Sequence, residues 1–330
     1  MTDRLTQLRA SLTGDVLAPS DREYERARLC FNLLIDRRPA AIARCVDAGD
    51  VAAALAFARE HDLEIAVRGG GHNPAGHCAV DDGLVIDLSR MRNVEVDQDV
   101  RVAISGGGAT WLDFDAATQA HGLVTPGGVV GSTGVAGLAL GGGIGHLTAQ
   151  YGLTCDNLIA AELVTPAGEL VRTGGDENPE LLWGLRGGGG NFGVATRLEF
   201  RLHPLERVIG GALGYAGDGV RDALRVFRDV DASAGDDLSC QAQLDVDETL
   251  APALTLFPCY TGPDEDPPAH RALRSAPGLV RDGVRVQGFL DQQRLMDPGY
   301  GVDRNYWKSH FVRELPDELI DTLLERLAAL

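Results

Sequence analysis

Arg68-Gly69-Gly70-Gly71-His72-Asn73 follows directly on the apolar run Glu64-Ile65-Ala66-Val67. A strand that feeds three successive glycines exposes backbone N–H groups no side chain covers, so a phosphate can approach them closely. Arg68 adds a charge-assisted donor beside that nest. His72 places an imidazole, mostly neutral near pH 7, just beyond it. A glycine-rich turn carrying a surface histidine is the alternative, because glycine clusters are common chain punctuation.

Gly76-His77 lies four residues further on, and three more blocks recur along the chain. They are Gly128-Val-Val-Gly-Ser-Thr-Gly-Val-Ala-Gly-Leu-Ala-Leu-Gly-Gly-Gly-Ile-Gly145, Tyr151-Gly-Leu-Thr-Cys-Asp-Asn157 and Arg186-Gly-Gly-Gly-Gly-Asn-Phe-Gly193. One glycine-rich loop is weak; four in this order, across about half the chain, are specific. Together they resemble the FAD-linked oxidases, the vanillyl-alcohol-oxidase-like flavoproteins, and most nearly their berberine-bridge-enzyme-like branch.

The resemblance implies an α+β fold, in which a PCMH-type FAD-binding domain of two α/β subdomains precedes an antiparallel-sheet substrate domain. It implies FAD as cofactor, attached covalently through His72, with His77 better suited to a turn. Cofactor contacts are implied for Arg68, Gly69, Gly70, Gly71, His72, Asn73, Gly76, His77, Gly128, Ser132, Thr133, Gly134, Gly137, Gly141, Gly142, Gly143, Cys155, Asn157, Gly190 and Val194. Asp156 and Asn157 could equally cap a turn. Many relatives carry a second flavin link through a cysteine ahead of the G-G-G block. Val130 occupies that place here and Cys155 lies elsewhere, so a single link is expected, and very bulky or sugar substrates are disfavoured. Thr133 falls where the family gates oxygen, and its small β-branched side chain leans toward an oxidase.

With 330 residues, of which 44% are hydrophobic, two domains are the natural expectation. The linear reading divides them into a helical lead-in (1–37), the FAD-binding domain (38–208) and an incomplete substrate domain (209–330). A net charge of −18 with no basic stripe argues against a nucleic-acid partner. No apolar run approaches the roughly 20 residues of a membrane span, so no membrane partner is expected. Met1-Thr-Asp-Arg-Leu5 has no signal pattern, and the expected location is cytoplasmic. The six cysteines have no C-x-x-C spacing, so no metal site or redox dithiol is indicated and buried thiols are the default.

Leu5, Leu8 and Leu12 share a helical face, and Tyr24–Leu34 reads as helix. Ala41–Val46 is a strand, Asp50 caps a helix reaching Glu60, and Glu64–Val67 is the next strand. This β-α-β opening resembles a dinucleotide fold, but the loop lacks G-x-G-x-x-G spacing, which disfavours a nicotinamide dehydrogenase. Asn93–Val96 with Arg101–Ile104, and Leu158–Thr165 with Glu169–Thr173, read as hairpins. Thr110 caps a helix that stops at Gly122. Glu177–Leu185 reads as helix and Val194–Leu202 as strand. Beyond His203-Pro204, strands at Val208–Leu213, Leu238–Leu244, Leu254–Tyr260 and Val284–Leu290 alternate with helices at Val220–Val230 and Leu315–Leu330.

Members of this branch usually continue for on the order of a hundred residues more and return to the flavin domain. The chain is therefore expected to be a fragment, a truncated product or one half of a split protein completed by a second chain. Asn305-Tyr306-Trp307-Lys308-Ser309-His310 supplies the substrate-side candidates. On a strand Tyr306, Lys308 and His310 would share a face, and Tyr306 with Lys308 could take a substrate proton as hydride leaves. A half-buried strand with solvent-facing polar groups is the alternative; Tyr151 and Tyr260 are weaker candidates. The expected activity is oxidation of a small alcohol or amine with dioxygen as acceptor. The rival expectation is a flavin-binding but catalytically incomplete protein.

Overall fold

The computed structural model describes residues 2–299 and 301–329, in two compact units. The first comprises residues 1–145, 152–204 and 296–307; the second comprises 146–151, 205–295 and 308–330. The units are discontinuous, unlike the linear division at 37/38 and 208/209. The N-terminal segment is part of the first unit, to which the chain returns late.

In the first unit, α1 (Thr2–Ser11) buries Leu5 and Leu8, as their spacing requires, against α3 (Ala48–Glu60). Strands β1 (Asp15–Leu17), β2 (Ala41–Arg44), β3 (Ile65–Arg68) and β4 (Leu84–Asp87) form a sheet in the order β1-β2-β4-β3. β2 and β3 both run parallel to β4, and β1 is antiparallel to β2. α3 carries the chain from β2 to β3 on the far side of β4, and the loop at 69–83 then leads from β3 to β4. The cap of α3 is Asp47, whose carboxylate accepts from the Asp50 N–H at 2.8 Å. Asp50, expected to be the cap, instead accepts from the N–H groups of Thr13, Gly14 and Val46. The expected helix from Tyr24 to Leu34 is only α2 (Tyr24–Ala27). Arg28 then turns its guanidinium to Glu25 and Asp36, and the chain beyond is irregular.

A second sheet, all antiparallel, joins β5 (Val94–Asp97), β6 (Val102–Gly106), β8 (Leu158–Val164), β9 (Leu170–Gly174) and β10 (Val194–Arg201) in the order β5-β6-β10-β8-β9. The two expected hairpins are its edges. The short strands β7 (Leu123–Val124) and β11 (His203–Pro204) pair separately. Helices α4 (Trp111–Gln119), α5 (Val135–Leu140) and α7 (Pro179–Leu185) pack on the second sheet, with Trp111, Phe114 and Phe200 edge-to-face at its centre. Thr110 caps α4 through a complete capping box with Asp113, as its sequence predicts.

The second unit opens with α6 (Thr148–Tyr151). Its antiparallel sheet comprises β12 (Val208–Gly210), β13 (Leu213–Ala216), β14 (Leu238–Val246), β15 (Pro252–Tyr260), β16 (Leu279–Asp282) and β17 (Arg285–Gln287). β15 is the spine, pairing with β12, β13 and β14. The single strand expected over Val208–Leu213 is two strands, divided at Gly211 with φ +143°. Val284–Leu290 likewise splits into β17 and the start of α10 (Phe289–Gln293). Helices α8 (Val220–Ser233), α9 (Pro268–Ser275) and α11 (Asp317–Leu327) cover a core of Leu213, Tyr215, Leu254, Leu256, Leu273 and Ile320. The helix expected over Leu315–Leu330 is shorter, running from Asp317 to Leu327, and Ala328 caps it.

Candidate functional site

The loop after β3 is held from several sides within the first unit. The Arg68 guanidinium turns back to donate to the Ala27 carbonyl, and a Cβ on Gly71 (φ +73°) would meet that guanidinium at 3.2 Å. Arg68 thus braces the nest. The Phe31 N–H donates to the Gly71 carbonyl at 3.1 Å, and the Phe31 ring lies parallel to the His72 ring at 4.4 Å. Ser132 Oγ sits 2.9 Å from His72 Nε2, with Thr133 Oγ1 at 3.5 Å from Nδ1. Burial, then the Arg68 charge, holds this imidazole below its ordinary pKa, so it is neutral at pH 7. Asn73 Oδ1 accepts from the Ala75 and His77 N–H groups, which makes Asn73 and exposed His77 a turn closed at Gly76 (φ +79°).

Apart from Tyr151, the four blocks converge within this unit. A Cβ on Gly70 would lie 2.3 Å from the Gly134 nitrogen, so first and second blocks touch backbone to backbone. Thr154 and Cys155 donate their N–H groups to the carbonyls of Gly143 and Gly142, docking the third block. Gly187 and Gly189 both donate to Leu140, docking the fourth. The glycines then divide by role. Gly134, Gly143 and Gly145 are packed so closely that a methyl group could not fit. At Gly137, Gly142 and Gly190 a Cβ would meet nothing within 4 Å. Packing does not require a glycine at Gly137 and Gly190, where the bare backbone faces open space, whereas Gly142 is buried and its φ of +114° itself requires glycine.

A cleft of about 750 Å³ opens beside the nest, lined by Gly69, Gly70, Gly108 and Thr110 and by Arg22, Arg26 and Arg68. His72 does not line it. Bare backbone, arginines and convergent glycine blocks fit a long anionic dinucleotide. Arg68, Gly69 and Gly70 would hold its phosphate side, and His72, Ser132 and Thr133 would hold its reactive ring.

Several of the expected contact residues also serve the fold. The Asn157 side chain is spent inside the protein, its Nδ2 donating to the Leu153 carbonyl and its Oδ1 lying 2.7 Å from His203 Nε2. Asp156 accepts the Leu153 N–H and caps the same turn. Cys155 is buried, which pushes its thiol up. Val194 is a buried core residue at the start of β10.

Tyr306, Lys308 and His310 do not share a strand face, because residues 304–311 are irregular. This segment is anchored at Asn305, whose backbone exchanges hydrogen bonds with the Asn32 side chain. Tyr306 and Lys308 are both exposed, and they fall in different units. Tyr260 is buried in the second core. Phe31 and the arginines of the α2 region were missed. Gly106-Gly107-Gly108 was the available signal for that side of the cleft, though it reads only as the end of a hairpin. Among the described residues, no group of three or more His, Cys, Asp or Glu side chains could hold a metal ion. No helix among them is long and apolar enough to cross a membrane.

Residues 39–174 match an FAD binding domain family model. The chain is 37% identical over 285 residues to (R)-6-hydroxynicotine oxidase of Paenarthrobacter nicotinovorans, covering 84% of this chain and 62% of that protein. The crystal structure of 6-hydroxy-D-nicotine oxidase from Arthrobacter nicotinovorans superposes with a TM-score of 0.82 at 34% identity, over 86% of this chain and 63% of the other. A berberine-bridge-enzyme-like protein of Physcomitrella patens shares the fold, with a TM-score of 0.84 at 22% identity over 98% and 74% of the two chains. The chain thus spans less than two thirds of the nicotine oxidase's length. It belongs to the FAD-linked oxidoreductases of the vanillyl-alcohol-oxidase, PCMH-type superfamily, and FAD is its cofactor.

Proposed function

We propose that this chain forms the flavin-holding part of an FAD-dependent oxidase that takes hydride from a small alcohol or amine and passes the electrons to dioxygen, with His72 as the covalent anchor of the flavin. The observation that carries this reading is the setting of His72, stacked on Phe31, flanked by Ser132 and Thr133, and held neutral by burial. Attachment at a flavin methyl carbon needs a neutral imidazole nitrogen with a free lone pair. The Ser132 hydroxyl can hold one nitrogen and thereby set the tautomer of the other. FAD supplies the hydride-accepting chemistry. The chain's own residues bind phosphate through the Gly69–Gly71 backbone, orient the imidazole and keep it unprotonated. The nicotine oxidase among the relatives supports oxygen as acceptor and a small amine as substrate class.

The test is a denaturing gel. Wild-type protein should give a fluorescent flavin band, and His72→Ala should lose it while retaining some FAD by dialysis, because the glycine backbone binds phosphate without the imidazole. A band of equal intensity in the variant would remove His72 from the role. A second reading, a flavin-binding protein that turns over only when a further segment or second chain completes it, is favoured by one observation. Trp307, Phe311 and Val312 are 52%, 98% and 62% exposed beside the Tyr306 and Lys308 candidates. Substrate-driven bleaching of the flavin separates the two readings.

A further inference from the structure

Cys30 and Cys78 are 48 positions apart in the chain, yet their sulfur atoms lie 3.4 Å from each other. Both are buried, Cys78 at 6% exposure and Cys30 at 2%. The four other cysteines have thiols pushed up, with burial the largest cause in each. Cys78 differs. The hydrogen bond shared with Cys30 brings its thiol down, against the effect of burial, and the charge of Arg68 and nearby backbone N–H groups add to this. The same hydrogen bond, with burial and the Cys78 charge, pushes Cys30 up. One sulfur is therefore the nucleophile and its neighbour holds the proton.

The pair joins the two segments that hold the imidazole. Cys30 precedes Phe31, which stacks on His72 and donates to Gly71, and Cys78 follows the Asn73–His77 turn of the flavin loop. We infer that Cys30 and Cys78 are a redox-active dithiol, a modification site that closes to a disulfide with hydrogen peroxide and locks the Phe31 segment onto the His72 loop. The Cys78 sulfur attacks one peroxide oxygen, the O–O bond breaks, and the departing hydroxide takes a proton to become water. Cys78 is now a sulfenic acid, two electrons more oxidised. Its negative charge is gone, and with it one cause of the raised Cys30 value, so Cys30 can ionise. The Cys30 sulfur then displaces the sulfenic oxygen, the S–S bond forms as S–O breaks, and the second water carries off the Cys30 proton. The sulfurs must approach by roughly 1.3 Å to reach disulfide length, within the range of side-chain rotation. The peroxide can be an added reagent, so this site does not rest on the oxidase reading.

The test uses the flavin-loaded chain, reduced and then exposed to hydrogen peroxide, with free thiols blocked by N-ethylmaleimide on denaturation before peptide mapping. The expected result is a Cys30–Cys78 cross-linked peptide that dithiothreitol reverses, with the other four cysteines alkylated. Amide exchange at Gly71–Asn73 should slow on oxidation. In Cys30→Ser, oxidation should stop at a Cys78 that reacts with dimedone, and in Cys78→Ser, Cys30 should stay alkylable. Wild-type protein in which both thiols remain alkylable after peroxide, or in which Cys78 proceeds to the sulfinic acid with Cys30 unlinked, would overturn the assignment.

Discussion

A methyl group on Gly137 would meet no atom within 4 Å, whereas one on Gly70 would press against the Gly134 backbone. The contrast separates glycines kept for packing from those kept for a ligand. Gly137 lies in α5, where alanine is the better helix former, so Gly137→Ala should stabilise the apoprotein by about 0.5–1 kcal/mol. It should also lower FAD content, because the methyl group occupies the open face. Denaturation of apoprotein and flavin absorbance of purified protein give the two readouts; full flavin content would show that the open face is not used. Gly70→Ala should instead lose both stability and flavin. Cys155 supplies a complementary test. Its backbone docks the third block and its thiol is buried, so Cys155→Ser should leave the covalent flavin mass unchanged. A peptide map with flavin on Cys155 would overturn the single link. Roles of this kind were half legible in the sequence: glycine spacing marked the blocks, but nothing in it distinguishes Gly137 from Gly134 or connects Phe31 to His72.

At the scale of elements, α9 contributes a histidine that the fold buries without hydrogen-bond partners among the described residues. The His270 ring sits edge-on to Tyr260 at 6.0 Å, and burial pushes its pKa down to about 4. His146, just before α6, is equally unpartnered and is lowered to about 4 by burial alone. Both folded values lie below the unfolded value of about 6.5. The unfolded chain therefore binds more protons between pH 6.5 and 4, and stability falls as pH drops through that window. The loss should reach on the order of 2–3 kcal/mol per histidine by pH 4. At pH 5 unfolding should take up about two protons from this pair, and His270→Gln should reduce that to about one. Titration during denaturation measures the uptake, and an unchanged value in the variant would exclude His270. Elements with strong local signals were readable: the α4 cap, both hairpins and the β2-α3-β3 crossover follow directly from periodicity and capping residues. The expected helix over Tyr24–Leu34 stops at Ala27 because the backbone of Phe31 and Leu33 bonds to Gly71 and Asp303 instead of continuing the helical ladder. The expected strand at Asn305–His310 failed because Asn305 is pinned to Asn32, a partner 273 positions away.

Across the whole molecule, the sequence carried the α+β class and the flavin-binding half, because glycine blocks encode backbone approach that no other residue permits. It did not carry the discontinuity of the units, since chain return at residues 296–307 depends on long-range contacts with no local signature. The same contacts frame the last prediction. Among the described residues β14 pairs only with β15, so one edge of a nine-residue strand has no strand partner, and Phe311 and Val312 stand exposed on the same unit. A strand edge without a strand partner, on a unit that also exposes apolar side chains, favours pairing with another chain. Closing water away from a reduced flavin also needs a covered site. The 330-residue chain alone should therefore bind FAD, associate as its concentration rises and turn over slowly. A polypeptide that covers the edge, joined to this chain or supplied separately, should raise the denaturation midpoint and the turnover together. Sedimentation against concentration and oxygen uptake with small amines measure both arms. Fast turnover by a monodisperse monomer would show that this surface needs no cover and that the residues already present suffice for catalysis.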